Sequence, residues 1–339
     1  MIKPIQLLTA LALAVAWLAA GPSTARACAC GAYITTEQAV VNGETAVIDY
    51  RDGVETIDMK MQVAGSSLDA AWIMPVPQGT EVSLGDNDRF QRLYDLTKPK
   101  EKVVYDFHPL SFLRMGSDGG APQGIPAGGG VTVDSVSVIG PFEVSTLSAT
   151  DPSALNDWLV EHGYTERPDL VPTFTTYLER GWQVLAVKLA SPTGAELGGD
   201  LDALRMSFET GEVVYPILLS SHATREQDVR LYLIADGKMA VSTEASPHER
   251  LELRFAGKLA VTDIDPTLSG EDELYVTAYT TQLSPRLIEA DYTFARADND
   301  VTYQEYYERV VWVGHWAWLG IGLIALVALS LGLRDKRRR

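Results

Sequence analysis

Apolar residues recur at every second position over Ile57, Met59, Met61 and Val63, with Asp58, Lys60 and Gln62 between them. A period of two places one face of a strand in a core and leaves the other to polar surroundings. Ala46 to Tyr50 lies just before, and Arg51-Asp52-Gly53 supplies an Asp-Gly turn, so the two segments read as a hairpin. Ala70 to Val76 is short and almost wholly apolar, the pattern of a buried strand, and Pro75 and Pro77 are expected to end it. Further strands are expected at 103–107, 131–139, 182–189, 204–208, 213–219, 229–234, 251–255 and 274–279, with Thr210-Gly211 and Asp236-Gly237 as hairpin turns.

Three segments carry helical spacing instead. Phe90, Leu93 and Tyr94 share a face within 87–96, before Pro99. Asp151-Pro152 caps a second helix whose face carries Leu155, Trp158, Leu159 and His162, with Gly163 at its end. Phe174, Tyr177 and Leu178 mark a third, stopped by Gly181. Strands in the majority, short hairpins and inserted helices predict an α+β, β-rich and mostly antiparallel domain.

Two longer apolar stretches stand at the ends. Ile5 to Ala20 follows Lys3 and precedes Gly21-Pro22-Ser23 and Ala25-Arg26-Ala27, the layout of a signal peptide over 1–27. Val310 to Leu333 makes a helix about 36 Å long if continuous, enough to span a membrane. Arg334, Lys336, Arg337, Arg338 and Arg339 follow it and set a cytoplasmic C-terminus by the positive-inside rule. Tyr306, Tyr307, Trp312, Trp316 and Trp318 then form an interfacial aromatic belt, with His315 as an anchor residue. The expected organisation is a domain over 28–309 outside the bacterial cytoplasmic membrane, a single transmembrane helix over 310–333 and a basic tail over 334–339.

Charge and cysteine content sharpen this picture. The net charge is −17, and Lys3, Arg26 and the basic tail lie outside 28–309, so the domain itself is more acidic still. Such a surface repels phosphate backbones, which excludes nucleic acid as a partner. The two cysteines, Cys28 and Cys30, sit together at the expected mature N-terminus. They cannot staple a domain of this size. A disulfide between them, a link to another chain, a redox or metal role and lipidation of Cys28 all stay open; Arg26 argues against the last. Met115 to Gly130 is rich in glycine, has no periodicity and reads as a flexible loop; it lacks the phosphate-binding G-x-x-x-x-G-K-[ST] pattern.

The residues form a recognisable series. Cys28, Trp72-Ile73-Met74-Pro75-Val76-Pro77, Ile139-Gly140-Pro141-Phe142-Glu143-Val144 and LNDWLVEHGY over 155–164 occur in that order. YLERGWQVLAVK over 177–188, Tyr215-Pro216-Ile217 and TTQLSPRLIEADYTF over 280–294 continue it. The series resembles the bacterial family called domain of unknown function 2330. The resemblance implies an exported, membrane-associated protein and supplies no activity.

No hydrolase elbow, S-x-x-K or H-E-x-x-H motif occurs, and no cofactor motif is present. His108, His162, His222, His248 and His315 are scattered; His222, in Ser220-Ser221-His222, is the most suggestive, and reads as an ordinary loop histidine. Asp263-Ile264-Asp265, Glu271-Asp272-Glu273 and Asp298-Asn299-Asp300 lack calcium-loop spacing and read as solvated turns. The function expected is a non-enzymatic binding or scaffolding domain at the cell surface, held by its C-terminal helix and meeting an extracytoplasmic or envelope partner. An exported enzyme, either a hydrolase or a thiol oxidoreductase using Cys28 and Cys30, is the alternative.

Overall fold

Asp52 and Gly53 both adopt positive φ, 53° and 80°, the backbone a tight two-residue hairpin requires. They join β2 (Val40–Arg51) to β3 (Val54–Ser67), which pair antiparallel from Arg51 and Val54 outward. The computed structural model describes residues 32–35, 40–67, 69–107, 135–139, 142–147, 159–162, 164, 166–190, 197–267, 272–313 and 315–336. The expected signal peptide, Cys28, Cys30, the Gly-rich loop and most of the helix expected after Asp151 lie outside them.

The other strands in the first half are β1 (Ala32–Thr35), β4 (Asp69–Pro77), β5 (Glu81–Leu84), β6 (Lys100–Asp106), β7 (Ser135–Ile139), β8 (Phe142–Leu147) and β9 (Trp182–Ala190). Next come β10 (Leu197–Asp200), β11 (Leu204–Glu209), β12 (Val213–Tyr215), β13 (Gln227–Ala235) and β14 (Met239–Thr243). The series closes with β15 (Glu252–Ala260), β16 (Glu273–Leu283), β17 (Tyr292–Arg296), β18 (Tyr303–Gln304) and β19 (Tyr306–Trp312). The helices are α1 (Asn87–Thr97), α2 (Val171–Glu179), α3 (Val261–Ile264) and α4 (His315–Lys336).

One sheet runs β18-β15-β16-β13-β2-β3-β11-β5, with β10 also on β3; a second runs β1-β4-β9-β8-β7; a third is β12-β17-β14. Pairing is mostly antiparallel, as expected, with β13 on β2 and β19 on β6 parallel. The main core lies between the large sheet and the other two. It takes Ala46 and Ile48 of β2, Ile57, Met59 and Met61 of β3, Trp72 and Met74 of β4, Leu185 and Val187 of β9, and Leu231 and Leu233 of β13. The intervening residues of β4 and β9, Ala71, Ile73, Val184 and Ala186, face outward into a second core under α2, with Phe174 and Tyr177. Val47, Tyr232 and Ile234 face the opposite way into a third core under α1 and α3, with Phe90, Leu93 and Ile264. Helices therefore cover both outer faces of a sheet sandwich, and the central strands read as unbroken apolar runs because both faces are buried.

Pro75 does not end β4, which pairs with β9 as far as Pro77 and stops there. The partner on its other side, β1, reaches only Ile73, so the missing N–H groups fall where no described strand needs them. Helix α1 is fixed by charge as well as packing. Arg89 donates to Asp58 at 3.1 Å and Asp49 at 2.9 Å, and Arg205 grips Asp58 with two bonds of 2.6 and 2.7 Å. Asp58 is fully buried, so these guanidinium bonds are what make its burial tolerable.

The C-terminal segment corrects the sequence expectation. Val310, Val311 and Trp312 are not helical; they close β19, which pairs with β6 from Tyr306 to Trp312. The expected span from Val310 to Leu333 is therefore not one helix, and α4 starts only at His315. Exposed apolar side chains run from Leu319 to Leu333 on α4, and none belongs to a core. Among the described residues no helix is long and apolar enough to cross a membrane, a finding that concerns helices and leaves strands aside. The single-pass anchor, the membrane as partner, the cell-surface placement and the cytoplasmic C-terminus are corrected with it. Tyr306, Tyr307 and Trp312, expected as part of an interfacial belt, lie in β19, and Trp316 and Trp318 lie in the first turn of α4. Arg334 and Lys336 lie within α4, while Arg337, Arg338 and Arg339 fall outside the described residues.

Candidate functional site

All three hairpin turns read from the sequence converge on one cleft of about 580 Å³. The β2–β3 turn contributes Tyr50, Arg51 and Asp52, the β11–β12 turn Gly211, Glu212 and Val213, and the β13–β14 turn Ala235, Asp236, Gly237 and Met239; β17 closes it with Phe294, Ala295 and Arg296. The first two tips are tied by the Thr210 N–H, which donates to the Gly53 carbonyl at 2.9 Å, and by the Tyr50 hydroxyl, which reaches the Thr210 carbonyl at 3.3 Å.

The floor is apolar. Val213, Ala235, Met239 and Phe294 belong to the main core and are almost fully buried. The rim is charged, and its two signs differ in one respect. Arg51 bonds Asp49 through two contacts of 2.7 and 2.8 Å, and Arg296 bonds Asp300 through two of 2.7 and 2.6 Å. Neither of those carboxylates lines the cleft. No described hydrogen bond or ion pair engages the carboxylates of Asp52, Glu212 or Asp236. Both cations are bonded from outside the cleft, Asp49 being shared with Arg89, and the lining itself carries three carboxylates against two guanidiniums, an acidic rim over an apolar floor. Gly237 lies close beneath Arg296: a Cβ there would stand 2.1 Å from the guanidinium carbon, the flexible end of that side chain.

Three further polar groupings lie away from the cleft. Glu44 is buried in the main core with the Tyr215 hydroxyl bonded to its Oε1 and no partner for Oε2. Burial pushes its carboxyl up to about 8, the Tyr215 bond offsetting only part of that cost. Glu55, also buried, accepts from the Val214 N–H at 3.1 Å with its other oxygen unpartnered, and burial raises it well above the usual carboxylate range. Asp291 is a buried junction: it accepts from the Tyr177 hydroxyl, from Arg180 at 2.8 Å, and from the N–H groups of Ile217 and Leu218 at 2.9 and 3.0 Å.

His222 is less ordinary than its sequence suggests. It ends a 3-10 helix over Leu218–His222, and its Nε2 lies 2.9 Å from the Thr173 hydroxyl of α2. Its Nδ1 lies 3.5 Å from Asp169, which Arg167 holds through bonds of 2.9 and 2.7 Å. Partial burial works to raise the Asp169 carboxyl, but the bonds from Arg167 and His222 outweigh it and hold the group far below its ordinary value. Sequence reasoning missed Thr173 and Asp169 because their partner is some fifty residues away along the chain.

The other expected candidates do not assemble. Asp300 is bound to Arg296, Asp265 to Thr267, and among the described residues no group of three His, Cys, Asp or Glu side chains is placed to hold a metal ion. His248 contributes a backbone N–H to Ser246, and His108 lies outside the described residues.

Fold and cleft together define a helix-covered, two-sided β sandwich with a turn-lined opening between its sheets. The match to the family described as "Uncharacterized protein conserved in bacteria (DUF2330)" runs over residues 24–295, most of the chain, and the chain belongs to that family. The resemblance noted in the motifs thus holds at the level of the family. No curated protein and no solved structure matches it significantly.

Proposed function

We propose that the chain is a binding module whose turn-lined cleft takes a small ligand with a cationic head and an apolar body, such as an aromatic or alkyl amine. The observation that carries this reading is the asymmetry of the rim: Arg51 and Arg296 are bonded to carboxylates outside the cleft, whereas no described hydrogen bond or ion pair engages the carboxylates of Asp52, Glu212 or Asp236, three acids against two guanidiniums. An ammonium group gains from those carboxylates, and an attached ring or chain gains from Val213, Met239 and Phe294 beneath. An anion meets net repulsion at the same place. Turn residues carried by a rigid sheet frame suit recognition, because the frame fixes the site while the tips supply its chemistry.

Calorimetric titration of the full chain with phenethylamine, agmatine and spermidine, beside neutral phenethyl alcohol, tests the proposal. Saturable binding of an amine, absent for the alcohol, is expected. The rim carboxylates are exposed, so each contributes about 0.5 kcal/mol; Glu212→Gln with Asp236→Asn together should weaken binding about fivefold, and added salt should do the same. Equal affinity for amine and alcohol, or no heat from any of the amines at millimolar concentration, would sink the reading.

A further inference from the structure

Helix α2 carries three threonines, Thr173, Thr175 and Thr176. Thr175 and Thr176 turn their hydroxyls back to the carbonyls of Val171 and Pro172, the local bond helical threonines commonly make. Thr173 instead reaches across to another segment and meets an imidazole nitrogen. The far side of that ring faces a carboxylate which is itself clamped by a guanidinium. A carboxylate beside Nδ1 keeps the proton on that nitrogen, which leaves the Nε2 lone pair directed at the hydroxyl proton.

A latch between α2 and the 3-10 helix is the simpler use of such a contact. That joint already exists. Asp291 binds Tyr177 and Arg180 from α2 and the N–H groups of Ile217 and Leu218 from the other side. The Thr173 array is also open to solvent, with the side chains of His222 and Asp169 23% and 49% exposed. Hydroxyl, base and orienting acid thus stand in order on an accessible surface, none of them lining the turn-lined cleft.

We propose that Thr173, His222 and Asp169 form a nucleophile relay that transfers the acyl group of small carboxylic esters to water. The Thr173 oxygen bonds to the ester carbonyl carbon while its proton passes to Nε2 of His222. The carbon–oxygen bond to the alcohol then breaks, and His222 returns that proton to the departing oxygen. In the second half water adds to the acyl carbon and gives a proton to His222. The bond to Thr173 breaks and the proton returns to its oxygen, so ester and water become acid and alcohol. Asp169 orients the ring and stabilises its transient positive charge. The open surroundings suit short, exposed acyl groups.

The proposal is independent of amine binding in the cleft and is tested separately on the full chain, by p-nitrophenyl acetate turnover and by fluorophosphonate labelling with peptide mapping. The label is expected on Thr173. Thr173→Val should lower kcat/KM at least about 100-fold, the range general-base activation spans, while Thr173→Ser retains turnover and labelling. His222→Gln should abolish labelling, and Asp169→Asn should depress kcat by disturbing the tautomer. Melting temperatures of all variants accompany the assay. A folded wild-type chain that takes no label on Thr173 overturns the relay, as does a Thr173→Val variant that turns over the ester as wild type does. A latch alone would lower the melting temperature of Thr173→Val with no adduct ever formed.

Discussion

Glu44 is a costly side chain within the main core: burial pushes its carboxyl to about 8 from an ordinary 4.5. Its sign is fixed by that shift. The folded chain holds the proton where the unfolded chain has released it, so stability is complete below about pH 4.5 and declines as pH rises through 8. The decline should amount to about 5 kcal/mol, read from urea denaturation at several pH values across that window. Glu44→Gln should remove most of the slope and stand more stable than wild type at alkaline pH. A residual slope is expected from Glu55, which is raised by the same cause. An unchanged slope in the glutamine variant would show that Glu44 titrates normally. Neither glutamate announces itself in the sequence, because Glu44 and Glu55 look like any polar residue near a strand end until Tyr215 and Val214 close over them.

Two glycines separate close approach of elements from close approach of side chains. At Gly43 a Cβ would lie 2.2 Å from the Asp228 carbonyl oxygen, where β2 runs parallel to β13. Backbone cannot yield there, so Gly43→Ala should cost about 1–3 kcal/mol in thermal or chemical unfolding. At Gly237 the obstacle is the flexible end of Arg296, and Gly237→Ala should cost well under about 1 kcal/mol while altering amine affinity at the rim. The Asp291 junction holds elements together more firmly. Asp291→Ala strands the buried Ile217 N–H and the half-buried Leu218 N–H and frees α2 from the following segment, and should destabilise by about 3 kcal/mol by the same measurement. Several elements were legible for physical reasons that act locally: the Asp52-Gly53 turn, the periodic α1, and β4 with its doubly buried apolar run. Others were not. Val213 to Leu219 reads as one strand, yet β12 stops at Tyr215, because Pro216 offers no N–H and Asp291 captures the next two. The helix expected from Val310 lost its first turn to β6, a partner two hundred residues earlier that no local pattern reveals.

Across the whole molecule the elements are unequally secured. β13 and β16 sit inside the large sheet with neighbours on each side, whereas no residue of β6 or β19 belongs to a core. Amides of Lys100–Asp106 and Tyr306–Trp312 should therefore exchange with solvent deuterium well before those of Gln227–Ala235, as hydrogen-exchange mass spectrometry can measure. Uniform protection across both regions would contradict that ranking. The cleft was legible only in fragments: each of its three turns could be read from a two-residue signal, but their meeting depends on pairings between distant strands. That arrangement has a consequence for how such a protein diversifies. The bond from the Thr210 amide to the Gly53 carbonyl joins the turns through main chain alone, so Glu212 and Asp236 are free to vary without loosening it. Descendants of this chain can exchange one guest for another by altering a few outward letters, while the scaffold that holds them stays as it was.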